Sequence, residues 1–278
     1  MTITPQLIKE LRDRTGVGIG KCKEALEEAN GDLDTAIENL RKSGMASAVK
    51  KEGRTANEGM IAIAESNDRI ALVEVNAETD FVVKNERFQQ FLQEVAQEIA
   101  ETNPSSLEDF LAQKFSKDPN MTIDEYRATI VQAIGENIQV RRLKVFEKNN
   151  DSSLGVYSHL GGKIVTMVKI DGTNGAEELA KDIAMHVAAA DPEYINPEDV
   201  QSKVIDQEKE IAKTQMAGKP DHVIDKILEG KISKYYDEVC LNKQLFIKDD
   251  SVRIEDLVKK HGDNLVIGHF ERWSVGQG

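Results

Sequence analysis

The sequence predicts an α+β fold: a small N-terminal three-helix bundle, then a duplicated α+β core with antiparallel sheets and an inserted antiparallel coiled-coil hairpin. Three observations predict it. Apolar residues recur at helical spacing through the first 43 residues. Beyond residue 57, β-like runs alternate with amphipathic helical stretches. The order hairpin, helix, helix, strand then occurs twice, as in a duplicated unit.

The elements follow in chain order. Thr4 is placed to cap a first helix with Pro5 at its opening position, and Leu7, Ile8 and Leu11 share one face. The glycine-rich turn at residues 15–20 feeds a second helix carrying Cys22, Ala25, Leu26 and Ala29. Asn30 and Gly31 break it, and Asp32 is placed to cap a third helix lined by Leu33, Ala36, Ile37 and Leu40. Residues 1–43 read as this bundle. Residues 44–57, small, basic and unpatterned, read as a linker with some helix in it.

Residues 58–148 read as the first half of the core. Residues 59–64 and 70–76 form a hairpin, and Phe88, Phe91, Leu92, Val95 and Ile99 line a helix over residues 88–100. Helical patterns at 106–115 and 123–134 lead to a strand at 138–146. Residues 149–278 read as the second half: a hairpin over 155–160 and 163–171 around Gly161 and Gly162, a helix over 176–190, then a helix at 252–260 and a strand at 265–273. The ends of the two halves match locally, ENIQV at 136–140 beside DNLVI at 263–267. A helical hairpin is inserted at 192–230. Val200, Val204, Ile211 and Ala212 lie on one arm, residues 217–220 turn the chain, and Val223, Ile224, Ile227 and Leu228 lie on the other. So thin an apolar seam suits either a projecting coiled coil that meets a partner or pairs with a second copy as a homodimer, or a solvated helical pair packed on its own domain.

Composition bounds the function. The chain has 278 residues, of which 36 are Lys or Arg and 49 are Asp or Glu, for a net charge of −13. That balance argues against nucleic acid or an anionic membrane as the direct partner, because both demand clustered positive charge. No run approaches the roughly 20 apolar residues that span a bilayer. Cys22 and Cys240 lie far apart and outside any metal-binding or redox spacing, as expected of a cytoplasmic chain.

Motifs for chemistry are sparse. Residues 16–21, GVGIGK, invite a phosphate-loop reading but miss its spacing and lack a preceding strand; a helix–helix turn needing positive φ fits better. The five histidines form no zinc-protease pair, and His186, on an alanine-rich helix face, reads as a packing residue. No nucleophile elbow is present, so the chain reads as a binding protein without a catalytic residue, metal or cofactor. One segment stands out: Thr79, Asp80, Phe81 and Val82, where a strand turns into a helix. Phe81 is either a hydrophobic staple tucked beneath that helix or an apolar anchor presented to a partner beside a carboxylate.

At these residues the sequence resembles the bacterial elongation factor Ts family, the guanine nucleotide exchange factors of elongation factor Tu. Residues 11–26, LRDRTGVGIGKCKEAL, and residues 74–82, EVNAETDFV, carry the match, with further agreement at 134–138, at 183–189 and over 231–246. The resemblance implies a bundle of ubiquitin-associated type that docks on the partner's GTPase domain, and a turn of Thr79, Asp80, Phe81 and Val82 that enters between two of its helices. That entry would disturb the magnesium site and loosen GDP. It further implies supporting partner-binding roles for Ile19, Lys23, Ile134, Gly135 and His159. Gly20 departs from the apolar residue often found there, and Val83 from a small one.

Overall fold

The computed structural model describes residues 3–214 and 221–277. The chain divides into two compact units. One comprises the residues up to Glu147 together with the stretch from Ser274, and the other is Lys148–Trp273.

The first unit opens with α1 (Pro5–Thr15), whose cap Thr4 accepts a hydrogen bond from the Leu7 amide at 3.2 Å. It ends at Gly16 with φ of 70°, the one glycine of the 15–20 turn that the left-handed conformation requires. α2 (Ile19–Glu28) follows, and Asp32 caps α3 (Leu33–Lys51) by accepting from the Thr35 amide at 2.7 Å. Leu11, Val17, Cys22, Leu26, Ala36 and Leu40 form the buried centre of the three.

The expected linker is mostly helix. α3 runs without a break through Ser43 to Lys51, because Met45 and Ala48 continue the apolar stripe and pack on the core of the first unit. Good helix formers in that stretch, Ala46 and Ala48 among them, favour the extension. Gly44 lets it come close: a Cβ there would lie 3.3 Å from the Ala128 carbonyl oxygen.

β1 (Glu58–Glu65) and β2 (Arg69–Ala77) pair antiparallel, and after α4 (Asp80–Val83) the core helix α5 (Glu86–Thr102) lies against both. α6 (Leu107–Ala112) is shorter than the expected helix at 106–115. Its end gives way to β3 (Lys114–Phe115) and β4 (Asp118–Thr122), a small hairpin that turns at Ser116 and Lys117. α7 (Ile123–Ile134) carries a capping box between Thr122 and Glu125, and β5 (Ile138–Glu147) completes a sheet of order β1-β2-β5.

The second unit repeats this plan. β6 (Ser152–His159) and β7 (Ile164–Asp171) form the hairpin and α8 (Glu177–Ala190) packs on it. The insertion begins with a 3-10 turn at Pro197–Asp199, so Val200, expected on its first helix, comes before that helix, α9 (Ser202–Thr214). α10 (Asp221–Val239) returns; the expected turn at 217–220, like residues 215 and 216, lies outside the described residues. Ala212, Ile224, Ile227 and Leu228 meet along the seam, whereas Ile211, expected there, is 54% exposed. The feet of the hairpin are tied by Tyr194 N to Val239 O at 3.0 Å and Leu241 N to Tyr194 O at 2.9 Å. β8 (Leu245–Phe246), β9 (Asp249–Arg253), α11 (Ile254–His261) and β10 (Val266–Ser274) then give a second sheet of order β10-β7-β6. α11 begins two residues after the expected position because Val252 belongs to β9.

Among the described residues, no helix is long and apolar enough to cross a membrane. No group of three or more His, Cys, Asp or Glu among them is arranged to hold a metal ion. Both cysteines are buried free thiols, and burial raises the pKa of each, Cys240 to about 11.

Candidate functional site

Strand β2 delivers the chain to a one-turn helix, α4, whose four residues point in opposed directions. Val82 and Val83 are buried in the core, and Phe81 is 79% exposed. Two apolar neighbours suffice to anchor the turn beneath, which leaves Phe81 outside. It is therefore not a staple under α5. Asp80, also exposed, pairs with Lys84 one turn on at 3.2 Å.

The turn is braced from a loop 57 residues away. Thr79 caps α4, accepting from the Val82 amide at 3.4 Å. Its own amide and hydroxyl donate to the two carboxylate oxygens of Glu136, at 3.1 and 2.9 Å. The neighbouring residues reverse the arrangement: Glu78 accepts the Asn137 amide at 2.7 Å. Asn137 is wholly buried, and its side-chain amide donates to Arg54 O at 2.8 Å and Glu52 O at 3.3 Å, just past the end of α3. Gly135, with φ of 92°, stops α7 in the left-handed conformation that lets the chain double back, and Ile134 is half-buried against the core.

The remaining sequence-predicted residues lie elsewhere. Ile19 opens α2 and is 57% exposed; Lys23, one turn on, pairs with Glu27 at 3.6 Å on the solvent side. The bundle's first turn meets the helix that follows the Phe81 turn, since the Arg87 guanidinium of α5 fills the space where Gly16 lacks a side chain. Cations gather near the end of α3, where burial, then Arg54 and Lys21, lower the Lys51 pKa. The first unit thus brings Thr79, Asp80, Phe81 and Val82 beside the loop that follows Ile134 and Gly135.

His159 lies in the second unit, exposed at the end of β6, with Nδ1 3.2 Å from the Tyr157 hydroxyl. Sequence reasoning missed the residue after it. Leu160, with φ of 50°, is 69% exposed at the tip of the hairpin, and a large apolar side chain just before two glycines was the available signal. It also missed the crossed pair Glu78 and Glu136, for which no local signal exists.

A family model described as elongation factor TS matches residues 78–277. A relative named Elongation factor Ts from Protochlamydia amoebophila (strain UWE25) is 62% identical over 279 residues, covering 99% of each chain. Relatives of the same name from Chlamydia caviae and Halothermothrix orenii are each 42% identical, and cover 98% and 100% of this chain and 98% and 94% of their own. Matched over well more than half its length by the family model and along its whole length by these relatives, the chain belongs to the elongation factor Ts family of translation factors.

Proposed function

We propose that the chain is a guanine nucleotide exchange factor, without a catalytic centre of its own, that binds GDP-loaded elongation factor Tu in the cytoplasm. It promotes GDP release by pressing the turn of Thr79, Asp80, Phe81 and Val82 against the magnesium and nucleotide site. The observation that carries the reading is Phe81, a bare aromatic ring on a turn whose flanking residues are all held. An exposed large apolar side chain on a braced support has the form of an interface anchor.

Exchange is a linkage problem. A factor that binds the empty GTPase more tightly than the GDP form weakens GDP by the same ratio. A shift of about 10⁴ requires roughly 5.5 kcal/mol of differential binding. Burial of one phenylalanine contributes about 1.5–3 kcal/mol. Phe81 is thus a trigger, and most of the difference must come from wider contact. Ile19 and Lys23 on the bundle, Ile134 and Gly135 beside the turn, and His159 in the second unit are assigned to that grip. A homodimer formed through the helical hairpin would cover the exposed Ile211.

Stopped-flow release of a fluorescent GDP analogue tests the trigger. Phe81→Ala should slow release at saturating factor by about tenfold to a hundredfold while complex formation changes much less. An unchanged saturating rate would sink the wedge.

A further inference from the structure

We propose that Glu136 is a positioning residue for exchange: its carboxylate aims Phe81 by holding Thr79. This rests on the exchange-factor reading above and adds to it the group that sets the turn.

Both oxygens of the Glu136 carboxylate are spent on one residue, accepting from Thr79 N at 3.1 Å and Thr79 Oγ1 at 2.9 Å. A carboxylate serving solubility would leave its oxygens to water. The second bond has a directional consequence. Because the Thr79 hydroxyl hydrogen is committed to Glu136, a lone pair of the same oxygen faces the Val82 amide, which it accepts at 3.4 Å. Glu136 therefore orients the cap that defines the first turn of α4. That helix has four residues, too few to persist by its own hydrogen bonding. It is held at one end by the capped Thr79 and at the other by buried Val82 and Val83, with Phe81 between them.

The bracing loop is itself fixed on three sides. Gly135 reverses the chain, Glu78 takes the Asn137 amide at 2.7 Å, and the Asn137 side chain holds the carbonyls of Glu52 and Arg54. The turn is thereby referenced to the end of α3 and so to the bundle. A ring that must enter a partner at a set angle transmits its binding energy only if its support does not yield.

The test uses the full chain and GDP-loaded elongation factor Tu. Glu136→Gln keeps the volume and one acceptor, but presents an amide donor where a second acceptor is needed. In stopped-flow release titrated with factor, the saturating rate should fall about tenfold, equivalent to about 1.4 kcal/mol. The half-saturating concentration should stay within roughly twofold. Amide hydrogen exchange of the free chain should show Thr79 exchanging faster in the variant, with the core amides of β2 unchanged. A wild-type saturating rate in the variant overturns the proposal. So does a rise in half-saturating concentration with the saturating rate intact, which would make Glu136 a contact residue. If the wild-type chain itself fails to accelerate release, the exchange-factor reading falls, and the proposal falls with it. Unchanged Thr79 exchange would overturn the bracing role separately, whatever the outcome with the partner.

Discussion

Phe81 and Val82 are adjacent, equally apolar and opposite in fate, and only burial separates them. In the sequence either could have tucked beneath α5; the supply of apolar floor space decided it, and Val82 with Val83 filled that space. Phe81 was thus legible as a candidate, with staple and presented ring both open from the residues alone and the family resemblance favouring the exposed one that the structure shows. Its brace was invisible because Glu136 meets Thr79 across 57 residues, and no periodicity links them. His186 was legible as a packing histidine, and the geometry adds its tautomer. Nδ1 accepts from the Ile247 amide at 3.3 Å, so Nε2 carries the proton and donates to Gln244 Oε1 at 2.9 Å. Burial lowers its pKa, chiefly by desolvation of the charged ring. Below about pH 6.5 the unfolded imidazole takes up a proton that the folded one refuses, so stability there drops as the pH is lowered; above that value the difference vanishes. In urea titrations, His186→Gln should remove up to about 1.4 kcal/mol of pH dependence per pH unit in that window, while leaving the profile above pH 7 flat.

At the scale of elements, helices with a full apolar stripe were read within a few residues, as α5, α7 and α8 attest. The short hairpins β3–β4 and β8–β9 were not, since strands of two and five residues give no alternation to detect. α3 was cut short because its glycine and polar residues hide the contact with α7. There Gln132 reaches Ser43 Oγ at 3.3 Å over the gap that Gly44 leaves. Two substitutions separate propensity from packing. Gly44→Ala should be nearly neutral, the gain in helix propensity offsetting a Cβ 3.3 Å from the Ala128 carbonyl. Gly44→Leu should cost about 1–3 kcal/mol by prising α3 from α7, measured from urea midpoints by circular dichroism.

Over the whole molecule, the duplication was visible only in the order of elements and in one five-residue echo. The structure extends it to atoms. Gln113 and Gln244 each accept through their carbonyl oxygens from the first residue of the following helix, at 3.1 Å in both halves. The hairpins share a register, with Phe115 opposite Asp118 and Phe246 opposite Asp249. Glu98 takes the Ser116 amide at 3.2 Å where His186 takes that of Ile247, five residues before a left-handed helix end in each case. Side chains diverged while the hydrogen-bond plan stayed, which is why comparison by letters found so little. The chain also finishes within the first unit. Gly276 N donates to the buried Glu74 at 2.9 Å, and Ser274 O accepts from Arg142, which pairs with Glu74 at 2.7 Å. A chain stopped after Trp273 should lose about 1–3 kcal/mol of stability in the first unit, as a buried carboxylate loses a donor; urea denaturation against the full chain would measure it.

On the exchange-factor reading proposed above, in which the bundle and Phe81 both touch the GTPase, the unbroken α3 bears on how a partner is chosen. Had the bundle hung on a loose tether, its contact and that of Phe81 would have been two independent encounters, joined only by an average effective concentration. Packed against α7, the two are points of one fixed caliper. Once the first touches, the second is already in place on a surface of matching span, and out of reach on one of a different span. Similar GTPases that differ only in the distance between those two patches would be measured and refused.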